Sequence, residues 1–454
     1  MSKLETHHAR ARWSWVVWIT LPWVSFFYAE NVSNAPLTFT LRKFVENPAI
    51  IGLIGSINVA FNFIVGVVTS YMSDRVWTRW GRRRPFLMIG WSGVAVCMAL
   101  VPLAPNLGTL VVIIVLYQFF ADIAKPLEPL TNEIVPAPQR GRFATIRSMA
   151  QNLMNLFFFG VMVAQFDRIY DIDAWGRTVQ LRGDVVLYWT GSFLLLIAVA
   201  FLAFKVRETP PPGGIVRERL ALWPLLRDIF GHRQWWTVYL IYSVPMIGLP
   251  GLDTFSPLLQ TEQLGFTRAQ FGGAASAGML INLFLFIPLA GFLTDRMPRL
   301  LLMQIGVVMH AVVFFIFFLY LRYVADYTIS IYTLIGFGIA AVLFKTCAYV
   351  VWAPLVYDYI PRDRFGTVSA GFAFVGGIAP FLLINLAGVW VTTYTRIFGA
   401  RGQGSYDYSS IYVLQMIAAL VALGITFHVK REERKGRLIA YGQLEAEERR
   451  RAEA

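Results

Sequence analysis

Pro129-Leu130-Thr131-Asn132-Glu133-Ile134-Val135-Pro136, with Gly141 close behind, returns 225 residues later. The second copy reads Pro354-Leu355-Val356-Tyr357-Asp358-Tyr359-Ile360-Pro361, with Gly366 behind it. Both copies close a long apolar run with an acid, a proline and a basic cluster. The acid–arginine pair Asp74-Arg75 recurs in the same way as Asp295-Arg296, at the end of the second apolar run of each half. A chain that repeats its punctuation at half-length is read as two structural halves before any single segment is assigned.

Working outward from the repeat, apolar runs long enough to cross a bilayer fall near 13–35, 49–72, 85–105, 108–134, 143–166 and 185–205. The second set lies near 235–258, 268–293, 299–321, 329–357, 367–392 and 410–429. The composition agrees: 57% of residues are hydrophobic, only 15% charged, and the mean hydropathy is +0.56, whereas a soluble domain has about a quarter of its residues charged. The net charge of +13 does not indicate a nucleic-acid partner, because the arginines sit in short clusters between apolar runs. Assigning loops to alternate sides puts 28 Lys and Arg on one side and 9 on the other, with Lys125, Arg147 and Lys345 inside spans. By the positive-inside rule both termini are expected in the cytoplasm. The expected organisation is a first six-helix half (1–205), a Pro-rich cytoplasmic loop (206–234), a second half (235–429) and a charged tail (430–454). Cys97 and Cys347 lie within apolar runs, and the five histidines have no metal-ligand spacing. Neither a disulfide framework nor a zinc site is expected, and no cleavable leader is evident.

Two six-span halves related by an axis along the membrane normal resemble the major facilitator superfamily over essentially the whole chain. The tract Ser73-Asp74-Arg75-Val76-Trp77-Thr78-Arg79-Trp80-Gly81-Arg82-Arg83-Arg84-Pro85-Phe86 narrows this. Its glycine comes six residues after Arg75 and precedes three arginines, Pro and Phe. That extended form resembles the sucrose transporters and the glycoside–pentoside–hexuronide symporters. The resemblance implies secondary transport of a sugar or glycoside, an all-α fold of twelve transmembrane helices, and a functional monomer in the cell membrane. It also implies a cytoplasmic gate, assigned here to Asp74, Arg75, Gly81, Arg82, Glu133, Arg142, Asp295, Arg296 and Asp358. In one place the chain departs from the group. Where its members commonly carry two acids one turn apart in span 2, this sequence has Asn58 and Asn62. Two neutral amides are poor ligands for a hard cation, so no sodium site is expected there and the proton is the expected coupling ion, with no cofactor.

Charges inside spans are costly, about +2.5 to +3.5 kcal/mol each on insertion scales, and are functional candidates by default. Gln118, Asp122, Lys125, Glu128, Asn132 and Glu133 fall within about 140° of a continuous helix, making span 4 polar on one face. Lys125 is three residues from both Asp122 and Glu128 and is expected to choose between them, either as a coupling switch or as a static ion triad. Span 5 carries Arg147, Gln151 and Asn155 at helical spacing, and span 1 carries Glu30 and Asn34, with Trp23 and Phe27 on a similar face. The proton-coupling candidates are therefore Asp122, Lys125, Glu128, Arg147 and Glu30. Substrate-binding candidates are Gln118, Asn58, Asn62, Gln151, Asn155, Asp253, Lys345 and Trp352. A drug or metabolite exporter is the alternative, although span 5 has only Gly160 and no proline, unlike the Gly- and Pro-rich span 5 of drug antiporters. No nucleophilic triad or phosphate loop is present, so no enzymatic activity is expected.

Overall fold

The computed structural model describes residues 19–66, 68–69, 72–73, 76–135, 139–174, 177–206, 208, 227, 230–249, 254–360 and 365–438. Asp74, Arg75, Asp253 and most of the central loop therefore lie outside the described residues.

Among the described residues, twelve helical spans follow one another. Span 1 is Thr20–Arg42, span 2 is Pro48–Phe61 continued by a π turn Asn62–Gly66, and span 3 is Arg84–Leu100. Span 4 has two pieces, Leu107–Ile123 and Leu127–Ile134; span 5 is Arg140–Phe157 with a π turn Phe158–Met162; span 6 is Gly183–Lys205. Span 7 is Arg233–Gly248, resuming over Ser256–Leu258 and the π turn Leu259–Gln263. Span 8 is Arg268–Ile281, a π turn Asn282–Phe286, and Ile287–Arg296. Spans 9 to 12 are Arg299–Tyr323, Ile331–Tyr357, Phe365–Phe398 and Ile411–Arg434. Between spans 5 and 6 an antiparallel hairpin pairs β1 (Ile169–Ala174) with β2 (Arg177–Arg182). Among the described residues, eight helical stretches are long and apolar enough to cross a membrane on that ground alone. Spans 1, 2, 5 and 7 are not among them.

Two boundaries differ from the sequence reading for a physical reason. Span 1 does not stop at Pro36 but runs on to Arg42, with the proline inside the helix. Proline removes a backbone donor. Hydroxyls on this stretch donate to main-chain carbonyls one turn back: Thr38 Oγ1 to Asn34 O at 3.1 Å and Thr40 Oγ1 to Pro36 O at 3.0 Å. These bonds tie the hydroxyls of the stretch to its own backbone and leave them no exposed polar group in the membrane. Span 4, read as one continuous helix, breaks at Ala124–Pro126, because Pro126 cannot donate and the amides of Ala124 and Lys125 turn to Ala121 O and Asp122 O.

The chain packs as two compact units: Met1–Thr40 with Val65–Glu218, and Leu41–Ile64 with Arg219–Ala454. The same crossing is built once in each. A Cβ on Gly90 (span 3) would lie 2.7 Å from Phe120 O and 2.8 Å from Ala124 N (span 4). A Cβ on Gly306 (span 9) would meet Phe344 O and Ala348 N (span 10) at the same two distances. Glycine is needed because the obstacle is backbone, which cannot move aside. The core of the second unit gathers Tyr239, Met303, Val307, Ala348, Val351 and Ala422. Large apolar side chains such as Phe193, Phe204 and Phe284 stay exposed, as a lipid-facing surface requires.

Candidate functional site

The break in span 4 decides how its charges are used. Asp122 is the last acid before the break and is only 3% exposed, with Gln118 buried one turn earlier. Lys125, in the turn, places Nζ 3.4 Å from Asp122 Oδ1. The other carboxylate oxygen, Asp122 Oδ2, is buried without a hydrogen-bond partner. A buried carboxylate with one ion-pair contact and one unsatisfied oxygen is a poor structural staple and a good acceptor of a proton or hydroxyl.

Glu128 lies in the first turn of the second piece of the span, and its ion pair is with Arg147. Its Oε1 accepts from Arg147 of span 5 at 3.0 Å. The Arg147 guanidinium also stands 4.4 Å from the ring centre of Trp23 in span 1, a cation–π distance. The Trp23 indole N–H donates to Thr131 Oγ1 at 3.1 Å, and Thr131 donates to Leu127 O at 2.7 Å. Spans 1, 4 and 5 are thus tied through one arginine and one indole. A second polar tie joins Asn31 Nδ2 to Asn155 Oδ1 at 2.7 Å. Glu30, next to Asn31, is exposed. Tyr117 is fixed by donating to Ala29 O at 2.9 Å, while Ser33 Oγ donates to its phenol at 3.1 Å. Gln151 is half-buried on the same span as Arg147.

The arginine loop is an anion receptor. Gly81 sits at φ +112°, a conformation glycine adopts without strain. The turn aims the amides of Arg82, Arg83 and Arg84 at the Glu208 carboxylate, at 2.7, 3.0 and 2.7 Å. These amides open span 3, where the helix dipole favours an anion. The Arg84 side chain donates to Leu202 O and Ala203 O near the end of span 6, at 3.0 and 2.7 Å. Arg82 and Arg83 pair with Glu133 at the end of span 4, Arg83 Nη2 at 3.0 Å. Glu208 was not legible as a partner, because an acid in a loop carries no mark of the helix end it will meet 125 residues away.

The second unit repeats the motif in reduced form. Asp358 closes span 10 and accepts both of its bonds from Arg299 Nη1, at 2.7 and 2.6 Å. It thereby mirrors the Glu133–Arg83 pair. Asp295 is exposed beside Arg296, whose guanidinium lies 3.8 Å from the Phe292 ring centre, and Arg142 is exposed at the start of span 5. Asn58 is exposed and Asn62 half-buried, both in the second unit, Asn62 at the start of the π turn of span 2. Span 8 opens its own π turn with an asparagine, Asn282, whose Oδ1 accepts from Thr346 Oγ1 at 2.5 Å. Lys345 is half-buried next to Thr346. Trp352 donates to Tyr242 O at 3.0 Å, and Tyr242 stacks on Phe372 with ring centres 4.2 Å apart.

Solved structures share this fold. The inward-open xylose transporter from E. coli aligns at 17% identity and TM-score 0.61, over 91% of this chain and 95% of its own. A nucleoside transporter aligns at 15% identity and TM-score 0.65, over 91% and 99%. A peptide transporter crystallised with sulfate aligns at 12% identity and TM-score 0.67, over 92% and 94%. No curated protein sequence matches significantly. The family model described as Major Facilitator Superfamily matches residues 14–384. That match, the duplicated six-span plan and the shared fold lead to one conclusion: this multi-pass membrane protein is a transporter belonging to the major facilitator superfamily.

Proposed function

We propose that the chain is a proton-coupled symporter of a sugar or glycoside that works by alternating access. The observation carrying this reading is the buried Asp122 at the break of span 4, held on one side by Lys125 and unsatisfied on the other. Protonation of Asp122 removes the charge that fixes Lys125, and the ammonium is then free to turn toward Glu30. Binding of the proton and rearrangement of the lysine are thus one event, which is what coupling requires. Glu128, Arg147 and Trp23 form the neighbouring part of the site. An indole face suits the C–H side of a sugar ring, and the carboxylate and guanidinium suit its hydroxyls.

The arginine loop is similar to that of the sucrose and glycoside–pentoside–hexuronide group, and a solved D-xylose–proton symporter is among the structures of the same fold. Both support the sugar. Asn58 and Asn62, standing where that group carries acids, favour the proton over sodium. In this reading the protein lies in the cell membrane as a monomer with its termini in the cytoplasm, and Asp74, Arg75 and Asp295–Arg296 act at the cytoplasmic gate.

The test is uptake of a panel of mono-, di- and glucuronide sugars into vesicles under an imposed pH gradient. Accumulation of one class is expected, with Asp122→Asn abolishing uphill uptake while keeping downhill exchange. Exchange of a cationic drug for protons without sugar uptake would establish the exporter alternative instead. Strict stimulation by Na⁺ would overturn the coupling ion.

A further inference from the structure

The stretch from Val76 to Arg84 divides its arginines unequally. Arg82, Arg83 and Arg84 are engaged inside the protein, with Glu133 and with carbonyls of span 6. Arg79 is exposed, and no acid among the described residues pairs with it. It shares the two central positions of a tight turn with Trp80. Thr78 and Gly81 close that turn by exchanging backbone bonds, Thr78 N to Gly81 O at 2.9 Å and Gly81 N to Thr78 O at 3.1 Å. The Thr78 hydroxyl adds two more, donating to Gly81 O at 2.8 Å and accepting from Trp80 N at 3.1 Å. The turn is therefore preorganised, yet it holds a large indole outward. Trp80 is 43% exposed, and the Arg79 guanidinium stands 5.8 Å from its ring centre.

The end of span 6 lies against the same turn. One guanidinium joins them: Arg84 Nη1 donates to Trp80 O at 3.2 Å while Nη2 donates to Ala203 O at 2.7 Å. The next two residues of the span are Phe204, 81% exposed, and Lys205, also exposed and also without a paired acid among the described residues. Two aromatic side chains and two unneutralised cations thus share one corner of the first unit, where span 3 begins and span 6 ends. A rigid exposed indole beside a bare phenyl ring is a liability in water. At a membrane surface the same rings sit at headgroup depth, and Lys and Arg beside them reach the phosphates.

We propose that the Arg79–Trp80 turn and the end of span 6 form a headgroup site for an anionic phospholipid. Trp80 and Phe204 lie along the glycerol and the upper acyl chain, and Arg79 and Lys205 hold the phosphate. On the orientation expected from the charge count, the site opens to the cytoplasmic leaflet, where anionic lipid attracts basic side chains. A zwitterionic lipid brings its own ammonium, which both cations repel. A free phosphate ion would leave the two aromatic rings with nothing to cover, so the rings select a lipid. The hydrogen bonds that fix the turn keep the ordering needed on binding small.

The site is tested by native mass spectrometry of the full-length protein in detergent, titrated with phosphatidylglycerol or phosphatidylcholine. The first phosphatidylglycerol is expected to bind roughly tenfold or more tightly than phosphatidylcholine. Each basic residue near an anionic surface contributes about fivefold in affinity, so Arg79→Ala and Lys205→Ala should each lose about fivefold for phosphatidylglycerol and the double variant about 25-fold. Phosphatidylcholine binding should not change in these variants, whereas Trp80→Ala should weaken both lipids alike. Arg79→Lys, which keeps the charge, should bind as the unaltered protein does. Arg434→Ala removes an exposed cation at the end of span 12 and should have no effect. Equal affinity for the two lipids would overturn the site. So would a loss in Arg434→Ala equal to that in Arg79→Ala, which is the mark of diffuse attraction, or a loss of phosphatidylcholine in the alanine variants, which is the mark of a distorted surface. Displacement of phosphatidylglycerol by millimolar inorganic phosphate would give the site to a free anion instead. No sugar enters the assay, so its failure leaves the transport reading untouched, and failure of the uptake assay leaves the lipid site untouched.

Discussion

Removing the two partners of the span 4 ion pair should have unequal consequences, and the inequality follows from their exposure. The Asp122 side chain is 4% exposed and that of Lys125 38%. Lys125→Ala leaves a buried carboxylate without its cation, a change worth about 3–5 kcal/mol when the orphaned charge is fully enclosed. Asp122→Asn leaves an ammonium that already touches solvent and can complete its hydration, so its cost should fall near the surface range of about 0–1 kcal/mol. The expected gap between the two single variants is therefore roughly 2–5 kcal/mol. The double variant, Asp122→Asn with Lys125→Ala, should lie close to Asp122→Asn alone, because the buried charge has gone. The assay is thermal unfolding of the purified protein in one detergent at several pH values, followed by intrinsic fluorescence. Lys125→Ala should recover part of its loss as the pH falls, since a protonated Asp122 needs no cation. Equal midpoints for the two single variants, or a less stable Asp122→Asn, would refute the view that Lys125 neutralises a buried charge.

Two further outcomes follow from other sites. Glu208→Ala should expose the amides of residues 82–84 and speed their hydrogen exchange by about tenfold or more, with a stability loss of about 1–2 kcal/mol because water replaces part of the bonding; exchange unchanged from wild type would show that the carboxylate does not hold the loop. Gly306→Val should destabilise the second unit by at least about 1–3 kcal/mol, since the added carbons meet the Phe344 carbonyl and Ala348 amide rather than a movable side chain, and a fully stable variant by thermal unfolding would refute the close backbone crossing.

Much of the fold was legible because membrane-spanning helices announce themselves by length and hydropathy, and because a duplicated chain repeats its punctuation. The Pro129 and Pro354 tracts fixed the halves, and the Gly90–Ala124 and Gly306–Ala348 crossings show the same duplication in packing. Pro36 and Pro126 were harder to weigh. Both are prolines in apolar surroundings, yet span 1 runs through the first and span 4 breaks at the second. Sequence carries the missing donor but not the local packing that decides whether the helix runs on or breaks.

Composition and local pattern by themselves determined that this chain crosses a membrane many times, in two halves, with its unusual charges in spans 4 and 5. Those properties depend on each residue's own transfer energy and its near neighbours in sequence. Tertiary structure alone decided the pairings. Lys125 stands three residues from two acids, and only the break at Pro126 assigns it to Asp122 and gives Glu128 to Arg147. Arg82, Arg83 and Arg84 advertise an anion, but Glu208 and Glu133 become that anion only when spans 3, 4 and 6 are packed together. Residues 41–64 likewise join the second unit through the Gly52–Gly388 crossing, the Arg42–Glu262 pair and the Thr392–Asn47 hydrogen bond. Charge and shape complementarity act through space over a few ångströms, and the separation of the partners along the chain carries no trace of them.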